Sequence, residues 1–82
     1  MDPEVREKAL FDAAKAKASE DPEVVELKAK ADGAVTDDDA RSAQRAYNKA
    51  LYAKMRELDG SISRRIKEME AAVLKRLDSK LP

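Results

Sequence analysis

The chain has no cysteine and no histidine. Without cysteine there is no disulfide framework and no thiolate chemistry, and the redox compartment cannot be read from the sequence. Without histidine, the commonest general base and the commonest nitrogen ligand for metals are both missing. Long apolar runs are absent too. None exceeds Ala71–Leu74, so no segment can span a bilayer. Nothing at the start resembles a signal peptide, which fits a cytosolic protein or a mature exported form behind an added Met1. No segment alternates with period two and β-branched residues are sparse, so no strands are expected.

What the chain has is charge and alanine. Of its 82 residues, 43% are hydrophobic and 41% charged. That is too apolar for a disordered chain and too charged for a membrane protein. The length fits one domain, residues 1–82. Fifteen of the apolar residues are alanine, so the core is thin. Each large side chain fully buried contributes roughly 1.5–3 kcal/mol, against about 1.5 kcal/mol to order each residue. Net charge is zero, but residues 1–40 carry −6 and residues 41–82 carry +6. This asymmetry points to attraction between the two halves across an interhelical interface, or to a polar partner on one half.

Capping residues divide the chain into helices. Asp-Pro-Glu-Val occurs at Asp2–Val5 and again at Asp21–Val24. Aspartate accepts the unpaired amides of a first turn, proline tolerates the first helical position, and glutamate favours the positive end of the helix dipole. Thr36 followed by Asp37, Asp38 and Asp39 is a third start signal. Asp59-Gly60-Ser61-Ile62 is a looser one, with Asp59 as a cap or Gly60 as a helix terminator. The pattern predicts helices near 3–18, 22–32, 37–58 and 60–79 with short linkers. The fold class is therefore all-α, a small four-helix bundle with a short second helix.

Periodicity assigns the faces. In the third helix Ala40, Ala43, Tyr47, Ala50, Leu51 and Leu58 share a face, with Met55 at its edge. In the fourth, Ile62, Ile66, Met69, Val73 and Leu77 form a stripe. These two helices should form an antiparallel C-terminal hairpin carrying most of the core. The second helix offers Val24, Leu27 and Ala31. The first has two apolar faces: Val5, Ala9, Ala13 and Ala16 on one, and Leu10, Phe11, Ala14 and Ala18 on the other. Such a helix can touch two partners, one of them a second chain.

The candidate partner-binding site lies on the third helix. Arg41, Arg45, Lys49, Tyr52 and Arg56 follow helical spacing on the side expected to point away from the core. Cations around an aromatic can grip phosphates while the ring stacks on a base, or can meet an acidic protein. The plainer reading is a solvated face paired with acids of the first two helices. A zero net charge weakens the nucleic-acid reading. Arg64, Arg65 and Lys67 form a second basic cluster near the 59–61 turn. Asp32 and Asp37–Asp39 fail the register of a calcium loop, because Gly33 follows Asp32 directly, and helix capping explains them. Asn48 sits beside the apolar face, where a polar residue can set register. No phosphate loop, nucleophile elbow or paired metal-ligand motif occurs. No enzymatic activity, cofactor, metal or small-molecule ligand is expected. The expected role is a non-catalytic helical interaction or structural module, self-associating or partnered. The alternative is weak binding of a nucleic acid or other polyanion through the basic face.

Two resemblances bear on this. Ala46-Tyr47-Asn48-Lys49-Ala50-Leu51 resembles the second helix of a tetratricopeptide repeat, but the chain has no 34-residue period. Ala46–Leu77, with Tyr47-Asn48-Lys49-Ala50-Leu51, Lys54-Met55-Arg56 and Met69-Glu70-Ala71-Ala72, resembles the C-terminal hairpin of small exported bacterial helical proteins of uncharacterised function. That resemblance covers under half the chain. It implies a mature exported protein and no activity. The repeated Asp-Pro caps and Ala/Lys/Glu-rich faces equally fit a designed or reconstructed sequence.

Overall fold

A computed structural model describes residues 2–78. The capping signals translate directly into helices. Asp2 accepts a hydrogen bond from the Glu4 N–H at 3.0 Å and opens α1, Pro3–Ala18. Asp21 accepts from the Glu23 and Val24 amides and opens α2, Pro22–Asp32. Thr36 Oγ1 accepts from the Asp39 N–H at 3.1 Å and opens α3, Asp37–Leu58. Asp59 ends α3 and then accepts the Ser61 N–H, starting a 3-10 turn, Gly60–Ile62, that runs into α4, Ser63–Asp78. The last helix is thus α-helical only from residue 63, and its expected end at residue 79 lies outside the described residues. Gly60 does not end α3 through a left-handed conformation, since its φ is not positive. The capped starts and the short linkers leave four helices and, among the described residues, no strand.

The helices are arranged around α3, which packs against α1, α2 and α4. The hairpin of α3 and α4 is antiparallel. Arg56 pairs with Glu70 near the turn, and Arg45 pairs with Asp78 far from it. The molecule measures 45 × 29 × 15 Å. Its radius of gyration is 13.6 Å, against about 12 Å for a compact chain of this length. It is a flat, elongated bundle.

One cluster forms the core: Phe11, Ala14, Ala18, Val24, Leu51, Tyr52, Met55, Ile62 and Ile66. Leu10, Tyr47, Ala50 and Val73 pack against it. Phe11 and Tyr52 lie with ring centroids 6.4 Å apart and planes tilted by 38°. Of the two faces of α1, the one bearing Phe11, Ala14 and Ala18 is buried, and Val5, Ala9, Ala13 and Ala16 are exposed.

The buried face of α3 is rotated from the one periodicity assigns. Met55, expected at the edge, is 0% exposed, while Leu58 is 45% exposed. Tyr52 is 3% exposed. The reason is geometric: a helix with three neighbours has no single inner stripe, and a one-stripe template misplaces its centre. In α4, Ile62 and Ile66 are buried, Val73 and Leu77 are half-buried, and Met69 is exposed. The hairpin supplies five of the nine core residues, Leu51, Tyr52, Met55, Ile62 and Ile66, gathered near its turn, and α1 and α2 supply the other four.

Candidate functional site

The five residues Arg41, Arg45, Lys49, Tyr52 and Arg56 do not form one solvated face. Tyr52 belongs to the core, where burial first, and then the neighbouring Tyr47 and Glu70, hold its hydroxyl above its ordinary pKa of 10.0. A ring packed beside Phe11 cannot stack on a base in this conformation. Arg56 donates through Nη1 to Glu70 Oε1 at 2.8 Å, in a half-buried pair that clips α3 to α4. Arg45 donates to Asp78 Oδ1 at 2.7 Å further along the same seam. Arg41 lies 3.9 Å from Asp38 within the first turns of α3. Lys49 is exposed and makes no ion pair among the described residues.

The expectation that this side of α3 points away from the core is therefore corrected. Arg45 and Arg56 face α4 and pair with acids of that helix rather than acids of α1 or α2, while Tyr52 packs in the core beside Phe11. Arginine suits such a seam, because its aliphatic stem packs while its planar head reaches a carboxylate. An antiparallel fold about the 59–62 turn brings residue 56 beside 70 and residue 45 beside 78. That register was available once the turn was recognised, and it was the missing signal for Glu70 and Asp78.

A second polar site emerges where α1 hands over to α2. Lys54 Nζ lies 3.4 Å from Asp21 Oδ2 and 3.4 Å from Glu57 Oε2. Bonds first to Glu57 and then to Asp21 hold Lys54 above its ordinary pKa of 10.5. For Asp21, burial pushes the carboxyl up, but bonds from the Val24 amide, Lys54 and the Glu23 amide outweigh it, and the net shift is below 3.8. Asp21 thus caps α2 and ties it to α3. An open gap of about 160 Å³ borders it, lined by Val24, Ala50, Ala53 and the three charged groups, with Glu23 at the rim. Asp21–Lys54 is the one ion pair among the described residues that joins the acidic and basic halves beyond the adjacent turn of Asp38–Arg41.

The remaining polar features are local. Asn48 Nδ2 donates to the Gln44 carbonyl at 2.8 Å, one turn back in its own helix. Arg64 Nε pairs with Glu68 at 3.3 Å on an exposed surface. Among the described residues no three acidic side chains are placed to hold a metal ion, and no helix is long and apolar enough to cross a membrane.

No family model, curated protein or solved structure matches this chain. The reading of its role rests on its own surface.

That surface is uneven along α3. Its buried residues are Leu51, Tyr52 and Met55, and residues 37–50 contribute none. The antiparallel stretch of α4, residues 67–78, also contributes none. Tyr47, Val73, Leu74 and Leu77 are half-buried there, and Met69 is 42% exposed.

Proposed function

We propose that the chain is a non-catalytic helical interaction module that completes its far half by association with another helical surface, a second copy of itself included. The observation that carries this reading is the incomplete core of residues 37–50 and 67–78, where apolar side chains gather without one being fully covered. Side chains left half-covered there gain burial by packing against a further helical layer.

Sedimentation over a wide concentration range, joined to thermal melts at the same concentrations, tests the self-association part. Association raises the melting temperature with concentration. Val73→Asp places a charge among the half-covered side chains and removes that dependence while the monomer stays helical. A chain that sediments as a monomer at every concentration, with one melting temperature, removes self-association from the proposal. The polyanion alternative has lost its aromatic to the core and two of its arginines to α4. Titration of single-stranded and duplex nucleic acid at two salt concentrations tests what is left of it.

A further inference from the structure

We propose that α1 is a latch, a helix that undocks as its own cooperative unit while α2, α3 and α4 stay folded. This goes beyond the reading above and does not depend on it. The first ground is how α1 is held. Among the described residues, no ion pair or side-chain hydrogen bond joins residues 3–18 to α2, α3 or α4. By contrast α2 has Asp21–Lys54, and α4 has Arg56–Glu70 and Arg45–Asp78. α1 is seated by apolar contact, with no direct ion pair among the described residues to add to it.

That contact rests on few large side chains. Phe11 is the one large side chain α1 buries, with Ala14 and Ala18 beside it and Leu10 half-covered. Three open gaps follow the seam. One of about 180 Å³ separates Leu10 and Ala13 from Leu58 and Asp59. Another of about 320 Å³ lies between Pro3, Leu10 and Ile62. In a third, of about 220 Å³, Glu4 and Glu7 face Arg64 and Arg65 without pairing within 4.0 Å. These grooves are open to solvent, so water borders the seam along its length.

Undocking leaves Val24, Leu51, Tyr52, Met55, Ile62 and Ile66, six of the nine clustered side chains, on the body of α2, α3 and the turn into α4. The hinge is also in the right place. Asp21 follows Ser19 and Glu20, and its cap on α2 and its bridge to Lys54 both lie on the body side. Local opening is easiest where few interactions must break together, and among the described residues no ion pair or side-chain hydrogen bond has to break to free α1. Opening uncovers the Tyr52 ring that Phe11 covers.

Native-state amide hydrogen exchange on the full chain, in rising sub-denaturing urea, tests this. Amides of residues 7–17 are expected to exchange about 100-fold or more faster than those of residues 51–55, with a shallower urea dependence. Phe11→Ala is expected to remove the remaining protection from α1 and leave residues 51–55 protected. One shared rate and one urea slope for α1 and α3 in the unmodified chain would overturn the proposal. So would loss of protection in α3 together with α1 in Phe11→Ala.

Discussion

The two halves of α3 are continuous in sequence and unlike in surroundings. Residues 51–58 supply Leu51, Tyr52 and Met55 to a core shared with α1, α2 and the start of α4. Residues 37–50 supply only half-buried side chains. Both halves have the same helical backbone and both end in capped turns. The difference teaches that local signals form this helix along its whole length, while tertiary packing rewards only part of it. Helices of this kind depend on their amphipathic contacts more than on propensity.

The largest test of that contrast is truncation in the two halves. Met55→Ala removes a side chain that is 0% exposed, and is expected to destabilise by about 2–5 kcal/mol. A chain this size has a total stability of about 4–12 kcal/mol, so the variant is near unfolding. Val73→Ala, in the half-covered region, is expected to cost about 1 kcal/mol or less. Urea denaturation of both variants reads the difference. Equal losses would show that the two halves are equally packed.

The next contrast is between the two arginine pairs of the α3–α4 seam. Arg56–Glu70 is the more buried, with side chains 30% and 18% exposed, against 41% and 60% for Arg45–Asp78. Glu70→Ala is expected to cost about 1–2 kcal/mol, because it leaves a half-buried guanidinium without its carboxylate. Asp78→Ala is expected to cost about 0–1 kcal/mol, the range of exposed pairs. A double-mutant cycle on each pair separates coupling from lost packing.

How much of this was legible in the sequence differs by level. Helix existence and starts were legible, because Asp2, Asp21 and Thr36 act through bonds spanning two or three residues. The antiparallel hairpin was legible too, since a short turn at Asp59 leaves no other route. The inner face of α3 was not. It depends on where α1 crosses, and nothing local in Tyr52 or Leu58 records that the first is covered and the second open. The outward placement of the candidate face was misread for the same reason. Arg45, Tyr52 and Arg56 are spaced as a surface stripe would be, and only the position of α4 turns that stripe into a seam. The Asp21–Lys54–Glu57 cluster was hidden because Asp21 lies far in sequence from Lys54 and Glu57 on α3, and Asp21 already had a sufficient local explanation as a cap.

A smaller effect concerns pH and the link between α2 and α3. Asp21 is held below its ordinary 3.8, so the folded chain binds its proton more weakly than the unfolded chain. Its contribution is present above that ordinary value and is lost as pH falls through the lower folded value. Lys54 is held above 10.5, so its contribution is present below that value and is lost as pH rises through the higher folded one. Asp21→Asn keeps a capping oxygen and removes the charge. Its acid unfolding limb is therefore expected to be shallower than the parent's, and its stability near neutrality modestly lower. An unchanged acid limb would mean that Asp21 acts as a cap alone.

The smallest expected effect is at Lys49, the one member of the basic set that is exposed and outside every ion pair among the described residues. Lys49→Glu reverses a charge that touches nothing structural, so stability is expected to stay within about 0.5 kcal/mol. Paired with Arg56→Glu, it splits the helix face by consequence. Reversal at Arg56 sets two carboxylates against each other across the seam and destabilises the fold, whereas reversal at Lys49 leaves the fold alone and alters only what approaches from solvent. If Lys49→Glu abolished binding to an added polyanion in a chain of unchanged stability, the outward remnant of the basic face would be a contact surface. If it changed neither stability nor binding, the charges of α3 would be accounted for by the seam with α4 and the clamp on α2.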